Sequence, residues 1–297
     1  MKKENSINTD KSKINGLLNE VFEEIESRSL GNSEAGKTMS FYDLDAMTQG
    51  LSPGNLYVIG GRPAMGKTSF VLNIAKNIGQ IHNLPICFFS LETSKKMLSY
   101  RLLSMETGIE SGRLKTGRLT QEEWPILGEA IYFLSENPIY LIDKPSIQVS
   151  EIYQFCEEVK NTHKKDLGVI IIDFLQLMED KSLGKNISRE DEISKIMNDL
   201  KNLSMNLEVP IIITSQLKRE LETRTNKRPM LSDIRESEVI ENRADLIAFI
   251  YRDEYYNPET DERGITEIIV TKQRNGPVGT VKLLFEPQYT RFRNLAI

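Results

Sequence analysis

Apolar positions alternate between two rhythms along this chain. Near the start, Ile14, Leu17, Leu18, Val21, Phe22 and Ile25 recur at helical spacing and form one face of an amphipathic helix over residues 13–28. Residues 1–12 are polar and read as a disordered tail, and 29–39, rich in Ser, Gly and Asn, as a flexible linker. The stripe must then bury itself on its own domain or on another copy. From about residue 40 to 297 the rhythm changes. Short continuous apolar runs (Leu56–Ile59, Ile86–Leu91, Ile139–Ile142, Val169–Ile172 and Ile211–Thr214) alternate with helix-like segments. Strands buried on both faces read this way, and crossover helices join them. The pattern predicts an α/β fold with a mostly parallel central sheet covered by helices. Two further runs, Glu267–Val270 and Val281–Phe285, flank Asn275-Gly276-Pro277 and predict a C-terminal antiparallel hairpin. No internal repeat is visible.

The first of these runs ends in Gly61-Arg62-Pro63-Ala64-Met65-Gly66-Lys67-Thr68, followed by Ser69 and a helical segment with Phe70, Val71, Ile74, Ala75 and Ile78. Glycine-rich sequence between strand and helix, closed by Lys-Thr, is a P-loop in its confirming context. Backbone N–H groups and the positive end of a helix meet phosphate oxygens there. Lys67 is expected to reach the β- and γ-phosphates of ATP, and the Thr68 hydroxyl to ligate Mg²⁺. Asp173 ends the run Val169–Ile172 and is the expected second metal ligand. Glu92 follows the run Ile86–Leu91; it reads either as the base facing the γ-phosphate or as a helix N-terminal acid. Gln216 ends another strand and is a γ-phosphate sensor or a turn residue.

Composition narrows the class without changing this picture. The chain has 297 residues, 39% hydrophobic and 27% charged, as soluble globular proteins do. No apolar run spans a bilayer and the charged N-terminus lacks a signal-peptide core, so a cytoplasmic protein is expected. Cys87 and Cys156 have no metal-ligand spacing, and the net charge of −5 requires any nucleic acid to be held by local patches.

These residues resemble the C-terminal motor domain of DnaB-type replicative helicases. The resemblance runs from roughly Ser40 to Leu295 and rests on the P-loop, Phe89-Ser90-Leu91-Glu92, Ile172-Asp173-Phe174-Leu175-Gln176-Leu177-Met178, Ser215-Gln216-Leu217 and Lys227-Arg228-Pro229. It continues through Asp233-Ile234-Arg235-Glu236-Ser237, Tyr251-Arg252-Asp253-Glu254 and the segment Lys272-Gln273-Arg274-Asn275-Gly276-Pro277-Val278-Gly279-Thr280. It implies a RecA-like fold, a homo-hexameric ring, and motion 5′ to 3′ on single-stranded DNA with duplex unwinding at replication forks. By the same resemblance, Glu92 is the catalytic base, Gln216 the sensor, and Lys272 and Arg274 act in trans on a neighbour's γ-phosphate. The helix at 13–28 corresponds to a linker helix that packs on the adjacent subunit. The family's N-terminal domain is expected to be absent, with its primase-binding collar; loader and primase are not identified by the sequence. Weaker alternatives are a nucleotide-dependent DNA-binding or assembly module and a RecA-type recombination ATPase.

Two locally basic loops are expected to face a central channel and bind DNA phosphates: Lys181, Lys185 and Arg189 in one, Lys218, Arg219 and Arg224 in the other. A third, containing Arg235, Glu236 and Glu238, departs from the family pattern, which has glycine where Glu238 stands. A carboxylate near a phosphate costs roughly 1 kcal/mol at 4 Å in bulk water, and a non-glycine residue is strained wherever φ is positive. Glu238 is therefore expected to weaken the grip on DNA.

Overall fold

The computed structural model describes residues 14–183 and 187–295. The expected tail at 1–12, and Lys185, lie outside them. In chain order the elements are α1 (Ile14–Ser29), α2 (Tyr42–Thr48), β1 (Leu56–Gly61), α3 (Lys67–His82), β2 (Ile86–Ser90), α4 (Lys95–Thr107), α5 (Ser111–Thr116) and α6 (Glu123–Ser135). There follow β3 (Ile139–Asp143), α7 (Val149–His163), β4 (Val169–Asp173), α8 (Arg189–Leu207), β5 (Ile211–Gln216), α9 (Ser237–Arg243) and β6 (Leu246–Tyr251). The last are α10 (Asp253–Tyr256), β7 (Ile265–Gln273), β8 (Gly279–Glu286) and β9 (Arg291–Asn294).

The described strands form one sheet in the order β3-β2-β4-β5-β1-β6-β7-β8-β9. The first six positions are parallel, and β7, β8 and β9 continue antiparallel. The expected hairpin is β7–β8. Two strands escaped the sequence reading. β6 joins the parallel part to the hairpin, and β9 pairs along β8 from Leu283↔Asn294 to Glu286↔Arg291.

Alternation explains the layers. Along β2, Ile86 and Phe88 join the core under α3 and α4, while Cys87 and Phe89 join the core under α7 and α8. Both sheet faces are therefore apolar, and the strand reads as an unbroken hydrophobic run. Side-chain caps start two of the covering helices: Ser94 Oγ accepts from Met97 N at the head of α4, and Ser188 Oγ from Asp191 N at the head of α8. Glu190, Asp191 and Glu192 then place negative charge at the positive end of α8.

The stripe of α1 is open to solvent; Phe22, for example, is 66% exposed. Packing against the sheet begins at Lys37 rather than at residue 40. Lys37 exchanges two backbone hydrogen bonds of 2.9 Å with Leu51, and Met39 is buried, so the end of the stretch expected as linker belongs to the folded unit. No helix among the described residues is long and apolar enough to cross a membrane.

Candidate nucleotide site

The phosphate loop leaves the C-terminal end of β1, at the centre of the sheet. Gly60 and Gly66 meet different demands. A Cβ on Gly60 would stand 2.7 Å from the Phe249 ring, so only glycine lets β6 approach β1 here. Gly66 has φ +99°, and a Cβ there would lie 3.2 Å from Phe292, a β9 side chain stacked on Phe285. The loop is thus backed by aromatic rings from the C-terminal strands. Lys67 opens α3 and bends its ammonium back over the loop, donating to the carbonyls of Gly61 (2.8 Å) and Arg62 (3.0 Å). Burial lowers its pKa from 10.5 to about 8, against the opposing pull of Asp173 and Glu92.

Asp173 ends β4 and is 3% exposed. One carboxylate oxygen accepts from Thr68 Oγ1 at 2.7 Å and the other from the buried Thr214 hydroxyl on β5. Glu92 follows β2 in a tight turn. Ser90 Oγ donates to Thr93 O (2.6 Å) and accepts from Thr93 N (3.1 Å), and Leu91 N donates to Asp173 O (2.7 Å). That turn puts Glu92 at the mouth of the same cleft. Gln216 is held from below: Gln176 donates to Ser215 Oγ at 2.9 Å and accepts from Gln216 N at 3.2 Å.

The cleft has a volume of about 370 Å³ and brings together Gly66, Lys67, Thr68, Ser69, Glu92, Asp173 and Gln216, with Pro63 and Ala64 at its rim. Arg62 and Met65 belong to the loop but turn away from the cleft; both are buried. Arg101 on α4 and Arg252 after β6 also line it, and neither is assigned a role by the sequence reading. Burial lowers the pKa of Arg101, while Asp173 and Glu92 pull it back up. Arg252 lies 4.8 Å over the Phe285 ring and donates to Ala64 O at 3.3 Å. No sequence pattern marks these two as cleft residues, because α4 and the end of β6 reach the cleft only once the sheet is assembled.

Lys272 and Arg274 are not among the residues lining this cleft. They sit at the end of β7 against the C-terminal turn of α9. Lys272 Nζ donates to the carbonyls of Glu241 and Ala244, and Arg274 to Asn242 O (2.7 Å). The Arg274 guanidinium also approaches Asp245 at 3.5 Å.

The expected DNA contacts divide. Lys181 is exposed in a turn. Arg189 instead spends its donors on Met178 O, Gln176 O and Glu192. Arg224 is likewise turned inward, onto Asp233 (2.8 Å) and Arg228 O (3.0 Å), and Lys218 reaches Ser232 O (3.1 Å). Arg219 remains 87% exposed and Arg235 is exposed. Glu238 is not strained. It lies in the first turn of α9, where a carboxylate suits the helix dipole, and the left-handed residue is Glu236 (φ 52°).

A phosphate loop at the middle strand of a mostly parallel sheet, with a carboxylate, a glutamate and a glutamine from three neighbouring strand ends, defines a P-loop nucleoside triphosphatase of the RecA-like class. Comparison with known proteins carries this further. The family described as "DnaB-like helicase C terminal domain" matches residues 36–294, and the chain belongs to it. It is 44% identical over 283 residues to the "Replicative DNA helicase DnaB" of Geobacillus stearothermophilus and 43% identical over 283 residues to the "Replicative DNA helicase DnaC" of Bacillus subtilis. Each alignment covers 95% of this chain and 62% of the relative, so the chain spans about three fifths of the length of these proteins. Its fold is similar to a solved structure described as an ATPase domain (TM-score 0.90, 39% identity, covering 96% of this chain and 99% of that one). It is also similar to a structure described as a DnaB-like replicative helicase and its interactions with primase (TM-score 0.86, 39% identity, 96% and 67% covered).

Proposed function

We propose that this chain is the ATP-driven motor of a replicative DNA helicase, working in the cytoplasm as a homo-hexameric ring that moves 5′ to 3′ on single-stranded DNA. The observation that carries the reading is the division of the site. Lys67, Thr68, Glu92, Asp173 and Gln216 share one cleft, whereas Lys272 and Arg274 stand on a different face. A complete site then needs a second copy, and α1 with its open stripe is the arm we assign to docking on that copy.

The residues present fit ATP and Mg²⁺. Gly66, left-handed at the N-cap of α3, lets the loop turn into the helix, whose first backbone N–H groups suit a phosphate. Thr68 and Asp173 offer hard oxygen donors, and no cluster of three His, Cys, Asp or Glu able to cage a metal occurs among the described residues. That suits Mg²⁺, which keeps waters and shares phosphate oxygens. When bound, the ion neutralises charge on the β- and γ-oxygens. Lys67 exchanges its two carbonyl partners for phosphate, Asp173 and Thr214 keep the Thr68 hydroxyl oriented, Glu92 takes the proton of the attacking water, and Gln216 reads the γ-phosphate. A guanidinium supplied in trans by Arg274 stabilises the charge that builds on the transferred group, an effect on the order of 10³–10⁵ in rate.

The test is hydrolysis with and without single-stranded DNA, then unwinding of a forked duplex. DNA-stimulated hydrolysis with strand separation supports the reading; Lys67→Ala is expected to abolish both. Stimulation without separation would favour a DNA-binding module instead. Mixing Lys67→Ala with Arg274→Ala subunits restores activity where one copy completes the site of another.

A further inference from the structure

Arg62 is the second residue of the phosphate loop, yet it does not face phosphate. Its side chain is 10% exposed and reaches away from the cleft; Nε donates to Glu222 Oε1 at 2.9 Å and Nη1 to Leu217 O at 2.8 Å. Leu217 directly follows Gln216, and Glu222 sits in the short 3-10 turn Arg219–Thr223. One guanidinium therefore ties the start of the phosphate loop to both ends of the segment after β5. Arg62 is also held from the other side, since its carbonyl accepts from Lys67 Nζ at 3.0 Å.

Glu222 is shared. Its second oxygen faces the guanidinium of Arg219 at 3.9 Å, and Arg219 is the side chain of this segment most open to a polyanion, 87% exposed. Leu221, between them in sequence, is buried and anchors the turn on an apolar side chain. We propose that Glu222 is a positioning residue: through Arg62 it sets the phosphate loop, and through Arg219 it makes that setting depend on nucleic-acid phosphate bound to the 218–224 segment. The inference rests on the motor reading above.

The electrostatics give the sign. An ion pair with one partner largely out of water is screened far less than an exposed pair. When a DNA phosphate draws Arg219 away, Glu222 loses a competing cation and its hold on Arg62 strengthens. When a nucleotide phosphate takes the Lys67 ammonium, the Arg62 carbonyl is released and the loop is free to follow its side chain. Each ligand then favours the arrangement the other needs, and linkage makes the coupling reciprocal.

The experiment measures the affinity of the full chain for a labelled oligothymidylate, with Mg²⁺-ADP and with a non-hydrolysable Mg²⁺-ATP analogue. The ratio of the two affinities reports the coupling. Wild type is expected to show a ratio of about fivefold or more. In Glu222→Gln and Glu222→Ala the ratio is expected to fall to near unity in a chain that stays folded and still binds nucleotide, with a lowered melting temperature because the buried Arg62 guanidinium loses its partner. Arg62→Gln and the double variant Arg62→Gln/Glu222→Gln are expected to lose the same amount and no more, as partners in one interaction do. Glu222 variants that tighten DNA equally under both nucleotides would overturn the proposal, because a repelling charge has then simply been removed. Wild-type coupling retained in these variants would overturn it too, leaving the motor reading intact. No nucleotide dependence in wild type itself would overturn both.

Discussion

Replacing Thr214 by valine removes one hydroxyl from the centre of the site and nothing else. Thr214 is fully buried on β5, and its hydroxyl donates to the Asp173 oxygen not used by Thr68. Valine has the same shape and suits a strand equally well, so no cavity opens. A hydrogen bond to a charged group contributes about 1.5–3 kcal/mol, and a buried acceptor left unpaired costs about 1–3 kcal/mol. With Asp173 only 3% exposed, water cannot restore the contact. A loss of about 2 kcal/mol is expected, or roughly 5 °C in melting temperature for a domain of this size. The functional effect is separate. An outer partner that orients a metal-binding carboxylate is worth about 10–100-fold in metal affinity or activity, so the Mg²⁺ concentration for half-maximal hydrolysis is expected to rise by that factor. Calorimetric melting and a Mg²⁺ titration at fixed nucleotide measure the two effects. Thr214→Ser keeps the donor and restores the Mg²⁺ dependence even where the lost methyl lowers the melting point. Thr214→Val with a wild-type Mg²⁺ titration, or a serine variant as impaired as the valine one, would refute the reasoning.

Four further outcomes follow from the same geometry. Burial holds Lys67 near pKa 8, so nucleotide binding, which needs the cation, is expected to weaken as pH rises past 8 and to take up protons there, as titration calorimetry in buffers of different ionisation heat would show. The stability sign is opposite: between about pH 8 and 10.5 the unfolded chain holds more of this proton, so the Lys67 contribution to folding rises with pH across that window, and a difference in slope between wild type and Lys67→Met checks it. Arg101→Met removes a cation whose burial is unfavourable, so hydrolysis is expected to fall about tenfold or more while the melting temperature holds or rises; a lower melting temperature would contradict this. Glu238→Gly takes a carboxylate from the exposed head of α9 and is expected to tighten single-stranded DNA about fivefold at low salt, with the gain shrinking as salt rises; unchanged affinity would remove Glu238 from the DNA path.

What could be read from the chain alone was what is local. The P-loop is contiguous, and each of its flanks is a single strand or helix with a clear period. Asp173 and Glu92 end continuous apolar runs, which is enough to put them at one edge of a parallel sheet. β6 escapes notice although Leu246-Ile247-Ala248-Phe249-Ile250-Tyr251 is as apolar as its neighbours, because it lies between charged segments that resemble loop. β9 has only Phe292 buried and no periodic signature at all; it exists because β8 offers an edge. The basic loops mislead for a different reason. Counting Lys and Arg says how much charge a segment carries, whereas Arg224 and Arg228 meet Asp233 and Glu267 only in three dimensions, and Arg189 meets Glu192 one helical turn on. The helical backbone of Glu238 is likewise out of reach, since α9 is a seven-residue helix whose start depends on Glu236 adopting φ 52°.

The position of β1 bears on how this molecule is made. The strand that launches the phosphate loop is the first of the sheet to be synthesised, yet its two sheet neighbours are β5 and β6, and the ring behind Gly66 is Phe292 of β9. Such non-local pairing is slow to form because long loops close before any contact rewards them. A growing chain therefore carries Leu56–Gly61 as an incompletely paired apolar segment until residues beyond 251 have emerged, and the most conspicuous motif in the sequence is among the last places to gain its structure. Nucleotide capture thus becomes a report on the finished fold: a chain stopped short of residue 291 lacks the Phe292 ring behind Gly66, however intact its loop sequence.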